Sequence, residues 1–136
     1  MKASIGVWID KSQARIISPT EILDTIPSDI ENRPRYEGEG KEYGRFGNQY
    51  MTLEKTKQHR LEHQEVQYLK RIFDVVKSFE RIMIFGPAGI KNRLKQHLDG
   101  EHLTRGKVID VVVAEKMTDN QLVAFVREYY AELDTK

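Results

Sequence analysis

The chain has no cysteine among its 136 residues. That excludes a disulfide framework, thiolate chemistry and any cysteine-based zinc site. Proline is scarce, four residues in all, and Pro19 and Pro27 fall where strands should stop. No apolar run approaches the length of a membrane span, so no membrane partner is expected. No excess of one charge appears either: 22 Lys and Arg face 21 Asp and Glu, for a net charge of +1. With 39% hydrophobic residues, that balance fits a soluble globular protein. The length predicts one domain over residues 1–136, large enough to bury a real core. The start, Met1-Lys2-Ala3-Ser4-Ile5, reads as a strand with no signal-peptide pattern before it, so the expected location is the cytoplasm.

What is present is patterned. Ser4–Ile9 is rich in β-formers and closes at the turn cluster Asp10-Lys11-Ser12. Gln13–Ser18 reads as the returning strand of a hairpin, and Glu21–Ile26 as a third strand. Residues 28–51 have almost no aliphatic content and hold four glycines, which predicts a long loop at about 28–52, a length that is usually functional. Thr52 is the expected N-cap of a helix reaching about Phe79, with Glu54 in its first turn. Leu69, Ile72, Phe73 and Val76 give the second half a face for a sheet. The first half is polar and should project beyond the core. Arg81–Phe85 is a continuous apolar strand, expected to be central. Gly86-Pro87-Ala88-Gly89 turns into a helix from Ile90, and Gly100 ends it. Val108–Val113 is the last strand, and Thr118 caps a final helix from Asp119 to Leu133. The fold class is α/β: a mixed five-stranded sheet in the order β-β-β-α-β-α-β-α, with helices on its faces.

Charge is segregated within the near-neutral total. Residues 33–71 and 87–109 each carry an excess of three positive charges, and 110–136 an excess of three negative. The positive segments are the loop, its helix and the second helix, which suits a polyanion meeting one end of the domain. A mixed solvated surface is the competing reading. Lys55, Lys57, Arg60, Lys70 and Arg71, with Lys91, Arg93 and Lys95, are the candidate phosphate contacts. Glu54, Glu62 and Glu65 interleave with the first group.

The most informative stretch is Gly44-Arg45-Phe46-Gly47-Asn48-Gln49, just before the long helix. Its glycines and Asn can bring the backbone close to another molecule. Gln49 offers a neutral amide that both donates and accepts. That suits reaching into a crowded polar site better than building a nucleophile or a metal centre. Tyr36, Tyr43, Phe46 and Tyr50 either stack on unpaired bases or fold the loop back on the domain.

Four pieces in this order carry a resemblance: Val7-Trp8-Ile9-Asp10, the Gly-Arg…Gly-Asn-Gln loop, Ile84-Phe85-Gly86-Pro87-Ala88-Gly89-Ile90-Lys91, and Met117-Thr118-Asp119-Asn120-Gln121-Leu122-Val123. Together they make the chain resemble the ribonuclease-H-like central domain of the archaeo-eukaryotic peptide-chain release factors, and above all its small bacterial relatives. In that family a Gly-Arg-Gly-Gly-Gln loop enters the ribosomal peptidyl-transferase centre, and its glutamine helps position water against the peptidyl-tRNA ester. The resemblance implies that Gln49 orients water and that Gly47 and Asn48 shape the loop. It also implies that Arg45, Lys55, Lys57, Arg60, Lys91 and Arg93 hold RNA phosphates. Asn48 replaces the family's second glycine, and Phe46 is an added residue. The implied partners are ribosomal RNA and peptidyl-tRNA, with no cofactor and no metal. The codon-reading and partner-binding domains of full release factors have no counterpart here. A non-catalytic ribosome-binding factor and a protein-interaction module stand as alternatives, and the oligomeric state is open.

Asp10 ends the first strand, where ribonuclease-H-type nucleases hold a metal, but a two-metal site needs converging carboxylates; a turn role is expected. His59 and His63 are four apart on one helix face, a spacing that could hold a metal, without a third ligand in view. Gly86–Gly89 opens a helix as a phosphate site could, yet lacks the Lys-Ser/Thr of a P-loop, so a tight turn is expected.

Overall fold

The computed structural model describes residues 3–30 and 47–135, with the side chains of the long helix described from Gln58 onward. Among the described residues, five strands and three helices follow in the expected order: β1 (Ser4–Ile9), β2 (Gln13–Ile17), β3 (Ile22–Pro27), α1 (Gly47–Val76), β4 (Arg81–Gly86), α2 (Ile90–Gly100), β5 (Val108–Val113) and α3 (Asp119–Asp134). The sheet order is β3-β2-β1-β4-β5. β1, β2 and β3 form an antiparallel meander, while β4 lies parallel to both β1 and β5. This is the ribonuclease-H-like topology.

Side-chain alternation along the strands splits the core in two. Ile5, Val7 and Ile9 of β1, with Ile82 and Ile84 of β4, face α1 and α2 and pack on Tyr68, Leu69, Ile72, Val76, Ile90, Leu94 and Leu98. Trp8, Met83 and Phe85 face the other way and pack on Leu122, Val126 and Tyr130 of α3. Gly6 lets α3 approach β1: a Cβ there would sit 2.5 Å from Val126 Cγ2. Thr118 caps α3 through a capping box with Gln121, as its sequence predicts. Thr104 closes the end of α2 by donating its hydroxyl to the Leu98 carbonyl at 2.6 Å. Among the described residues, no helix is long and apolar enough to cross a membrane.

Besides shifts of one to three residues at other ends, two boundaries differ from expectation for a physical reason. β3 includes Pro27, which is tolerated because β3 is the edge strand of the sheet formed by the described residues. α1 is already helical at Gly47, the first residue described after Ile30, six residues before Leu53, the expected first helical residue after the Thr52 cap. Gln49, Tyr50 and Met51 carry no strong helix penalty, so an established helix extends back through them at little cost. Glu54 therefore lies past the first turn, which holds no acidic residue.

Candidate functional site

In open α/β sheets, sites form beyond the carboxyl ends of parallel strands where the chain order reverses. Here that point lies between β1 and β4. Close packing narrows it. Gly86 abuts the end of β1 so tightly that a Cβ would lie 2.2 Å from the Ile9 carbonyl oxygen. The Tyr68 hydroxyl donates to the Asp10 carbonyl at 2.9 Å. Asp10 itself is a turn residue: its Oδ1 accepts the backbone N–H groups of Ser12 and Gln13 at 2.8 and 2.9 Å. Among the described residues, no three His, Asp or Glu converge as a metal site. Gly86–Gly89 joins β4 directly to α2 as a tight turn, as expected.

What extends from this end of the sheet is α1. Among its described side chains, Tyr68, Leu69, Ile72 and Val76 are buried. None of the ten residues from Gln58 to Gln67 is buried. The 21 residues from Gly47 to Gln67 span about 30 Å at 1.5 Å per residue. Of the polar first half of α1, termed the arm, the described residues 58–67 thus stand clear of the core, as the sequence predicts.

Three contacts root the arm. Tyr68 ties it to the end of β1. Arg71 donates to the carbonyls of Pro27 and Ser28 at 2.7 and 3.0 Å, holding the chain that leaves β3. Arg93 of α2 makes two parallel bonds to Glu65, at 2.8 and 3.0 Å, clasping the arm where it leaves the domain. Burial pushes the Tyr68 hydroxyl well above its ordinary pKa, and the nearby Asp10 carboxylate adds to the shift. It stays protonated and keeps donating.

These contacts sort the expected phosphate-binding cations. Lys91 is buried, at 7% exposure, and its Nζ donates to the Ala88 carbonyl at 3.0 Å. It closes the first turn of α2 and presents no charge to a partner, which removes it from the candidate set. Arg71 and Arg93 are committed to Pro27, Ser28 and Glu65, and Lys95 pairs with Asp99. Arg60 and Lys70 are exposed, and Arg60 too has a partner within the chain. Lys55 and Lys57 lie on the arm, as do Gly47, Asn48 and Gln49, whose backbone forms the first turn of α1; these side chains are outside the described residues. So are Gly44, Arg45, Phe46, Tyr36 and Tyr43. His59 and His63 are exposed on the arm.

The clasp role of Glu65 and the anchoring role of Tyr68 do not follow from the sequence patterns above. Tyr68, Ile72 and Val76 do share the four-residue spacing of one buried helix face, a signal that could have placed Tyr68. On the opposite face of the sheet, an open groove of about 520 Å³ runs between Thr20 and Ile22 on one side and Asp119, Val123 and Arg127 on the other. It lies across the sheet from the arm.

No protein-family model matches the chain, and no curated protein is significantly similar to it.

Proposed function

We propose that this protein is a translation-associated factor that binds the ribosome and peptidyl-tRNA through the end of the domain bearing the arm. The observation behind this reading is that arm: a polar helix extending about 30 Å past a rooted base, with Gly47, Asn48 and Gln49 in its distal turn. From Gln58 to Gln67 no side chain is buried, so core packing does not account for that part of the helix. It makes sense as a rod that reaches into a partner. The resemblance to release-factor central domains supplies the partner, since their glutamine-bearing segment also stands ahead of a long helix.

Hydrolysis of the peptidyl-tRNA ester is the sharper form of the proposal. Gln49 would orient one water through its amide, Gly47 would allow close approach, and the ribosome would hold the ester and stabilise the oxyanion. Arg45, Lys55, Lys57, Arg60 and Lys70 would meet RNA phosphates. The helical backbone at Gly47–Gln49 favours a second reading. A helical turn exposes less backbone than a glycine loop, which suits a factor that binds the ribosome without cleaving the ester.

Co-sedimentation with ribosomes tests the shared part. Phosphate-dominated binding falls steeply with salt. Retention at low salt, loss at high salt and weakening by Lys55→Ala with Lys57→Ala support the proposal. Absence of the protein from the ribosome pellet at low salt overturns it.

A further inference from the structure

Both outer strands of the sheet carry the same local device. On β3, Asp24 Oδ1 accepts the backbone N–H of Thr25 at 2.8 Å. On β5, Asp110 Oδ1 accepts the backbone N–H of Val111 at 2.9 Å. In each case the N–H so occupied points away from the sheet. On β3, Ile26 and Asp24 face Ala14 and Ile16 of β2, and the β1–β2 bond from Asp10 N to Gln13 O sets the alternation that turns Thr25 outward. On β5, the Ala114 N–H bonds Gly86 O on β4, so Val113 and Val111, one and three residues earlier, present their N–H groups to the outside.

An edge strand offers unpaired backbone groups to any other chain, and proteins blunt such edges with charge, proline or bulges. β3 has Pro27 within it and Pro19 close before it. β5 has neither. It reads Val-Ile-Asp-Val-Val-Val, with Val113 72% exposed and Ile109 38% exposed. A bulge lies near its start, between the residues that pair with Ile82 and Met83. Past that bulge, Asp110 is the charged residue of the strand, and its second oxygen is held in place by the Tyr129 hydroxyl at 3.0 Å.

We propose that the outer edge of β5 is a latent pairing surface for a second copy of this chain, and that Asp110 keeps it closed by occupying the Val111 N–H. The copy would add antiparallel about Val111. That arrangement brings Lys107 of each chain near Glu115 of the other and sets the exposed Ile109 beside Val113. Lys116 then falls beside the uncharged Gly106. Parallel addition would instead align like charges. The carboxylate closes this surface twice over, by filling the central donor of the edge and by placing two like charges near the middle of the pair.

The test is the mass of the intact protein in solution across a concentration series, by sedimentation equilibrium. Wild type is expected to be monomeric. Asp110→Ala is expected to approach twice the monomer mass as concentration rises. Adding Val113→Lys to that variant, a charge on the same edge, is expected to restore the monomer. Glu128→Ala removes the same charge from the exposed face of α3 and is expected to stay monomeric. Should Asp110→Ala fail to fold by circular dichroism, Asp110→Val, a better strand former, takes its place. A dimeric wild type overturns the proposal, as does a folded, monomeric Asp110 variant. Association that survives Val113→Lys, or that Glu128→Ala reproduces, overturns it equally.

Discussion

The hydroxyl of Tyr68 donates to the main-chain oxygen of Asp10 at 2.9 Å, joining the root of the arm to the hairpin turn that ends β1. The same Asp10 organises that turn with its carboxylate. One helix residue and one turn residue therefore fix where the arm leaves the sheet. Tyr68→Phe keeps the ring and removes the bond, leaving a carbonyl short of its partner. The expected cost is about 1–2 kcal/mol, read from urea denaturation as a lower midpoint with an unchanged slope.

Gly86→Ala should be more damaging. The new Cβ would meet the Ile9 carbonyl oxygen at 2.2 Å, and both partners are backbone inside the sheet. Neither can move without breaking the parallel β1–β4 ladder. A loss of more than about 2 kcal/mol is expected, in the range of strained or overpacked core sites. Gly100→Ala, where a Cβ meets nothing within 4 Å, is the matched control and should be neutral or mildly stabilising in its helix.

Alkaline pH should destabilise the fold. Tyr129 is pushed up to about 12, first by burial and then by donating its hydroxyl to the Asp110 carboxylate. Tyr68 and Tyr130 are also raised, chiefly by burial. The folded protein therefore keeps protons that the unfolded chain, with tyrosines near 10, gives up. This stabilisation is complete below about pH 10 and is lost as the pH rises through about 12 and beyond. Urea midpoints measured upward from neutral pH should fall past about pH 10, and Tyr68→Phe should make that fall shallower.

The Arg93–Glu65 clasp should register as a modest coupling. It is bidentate, with the Arg93 side chain 46% exposed and Glu65 26% exposed. A double-mutant cycle with Arg93→Gln and Glu65→Gln should give about 0.5–1 kcal/mol, shrinking in high salt.

The fold was legible where side-chain periodicity is strong. β1 and β5 lie where alternation and β-branched runs predict, because a strand buried on one or both faces cannot shift by one residue without turning its apolar set outward. The β-meander followed by parallel units follows from connection lengths, and the polar run in the first half of α1 marks the exposed stretch from Gln58 to Gln67. The start of α1 was less legible, since Gly47 and Asn48 read as loop residues while Gln49 to Met51 are compatible with helix. The cations were least legible. Lys91 looks like any surface lysine in sequence, and only the turn at Ala88 shows that its charge is used internally. Arg71 and Arg93 have partners 28 or more residues away, which no local pattern reveals. The roles of Asp24 and Asp110 depend on which strands become edges, a property of sheet order alone.

The central claim is that the arm carries Gly47, Asn48 and Gln49 into the ribosome to act on peptidyl-tRNA. Its most direct test is release of labelled peptide from ribosome–peptidyl-tRNA complexes with an empty A site, with bound protein measured in the same samples. The account predicts that wild type binds and releases peptide, and that Gln49→Ala binds equally and releases little. Binding without release by wild type would contradict the hydrolytic form and leave a docking factor. Neither binding nor release would contradict the account as a whole.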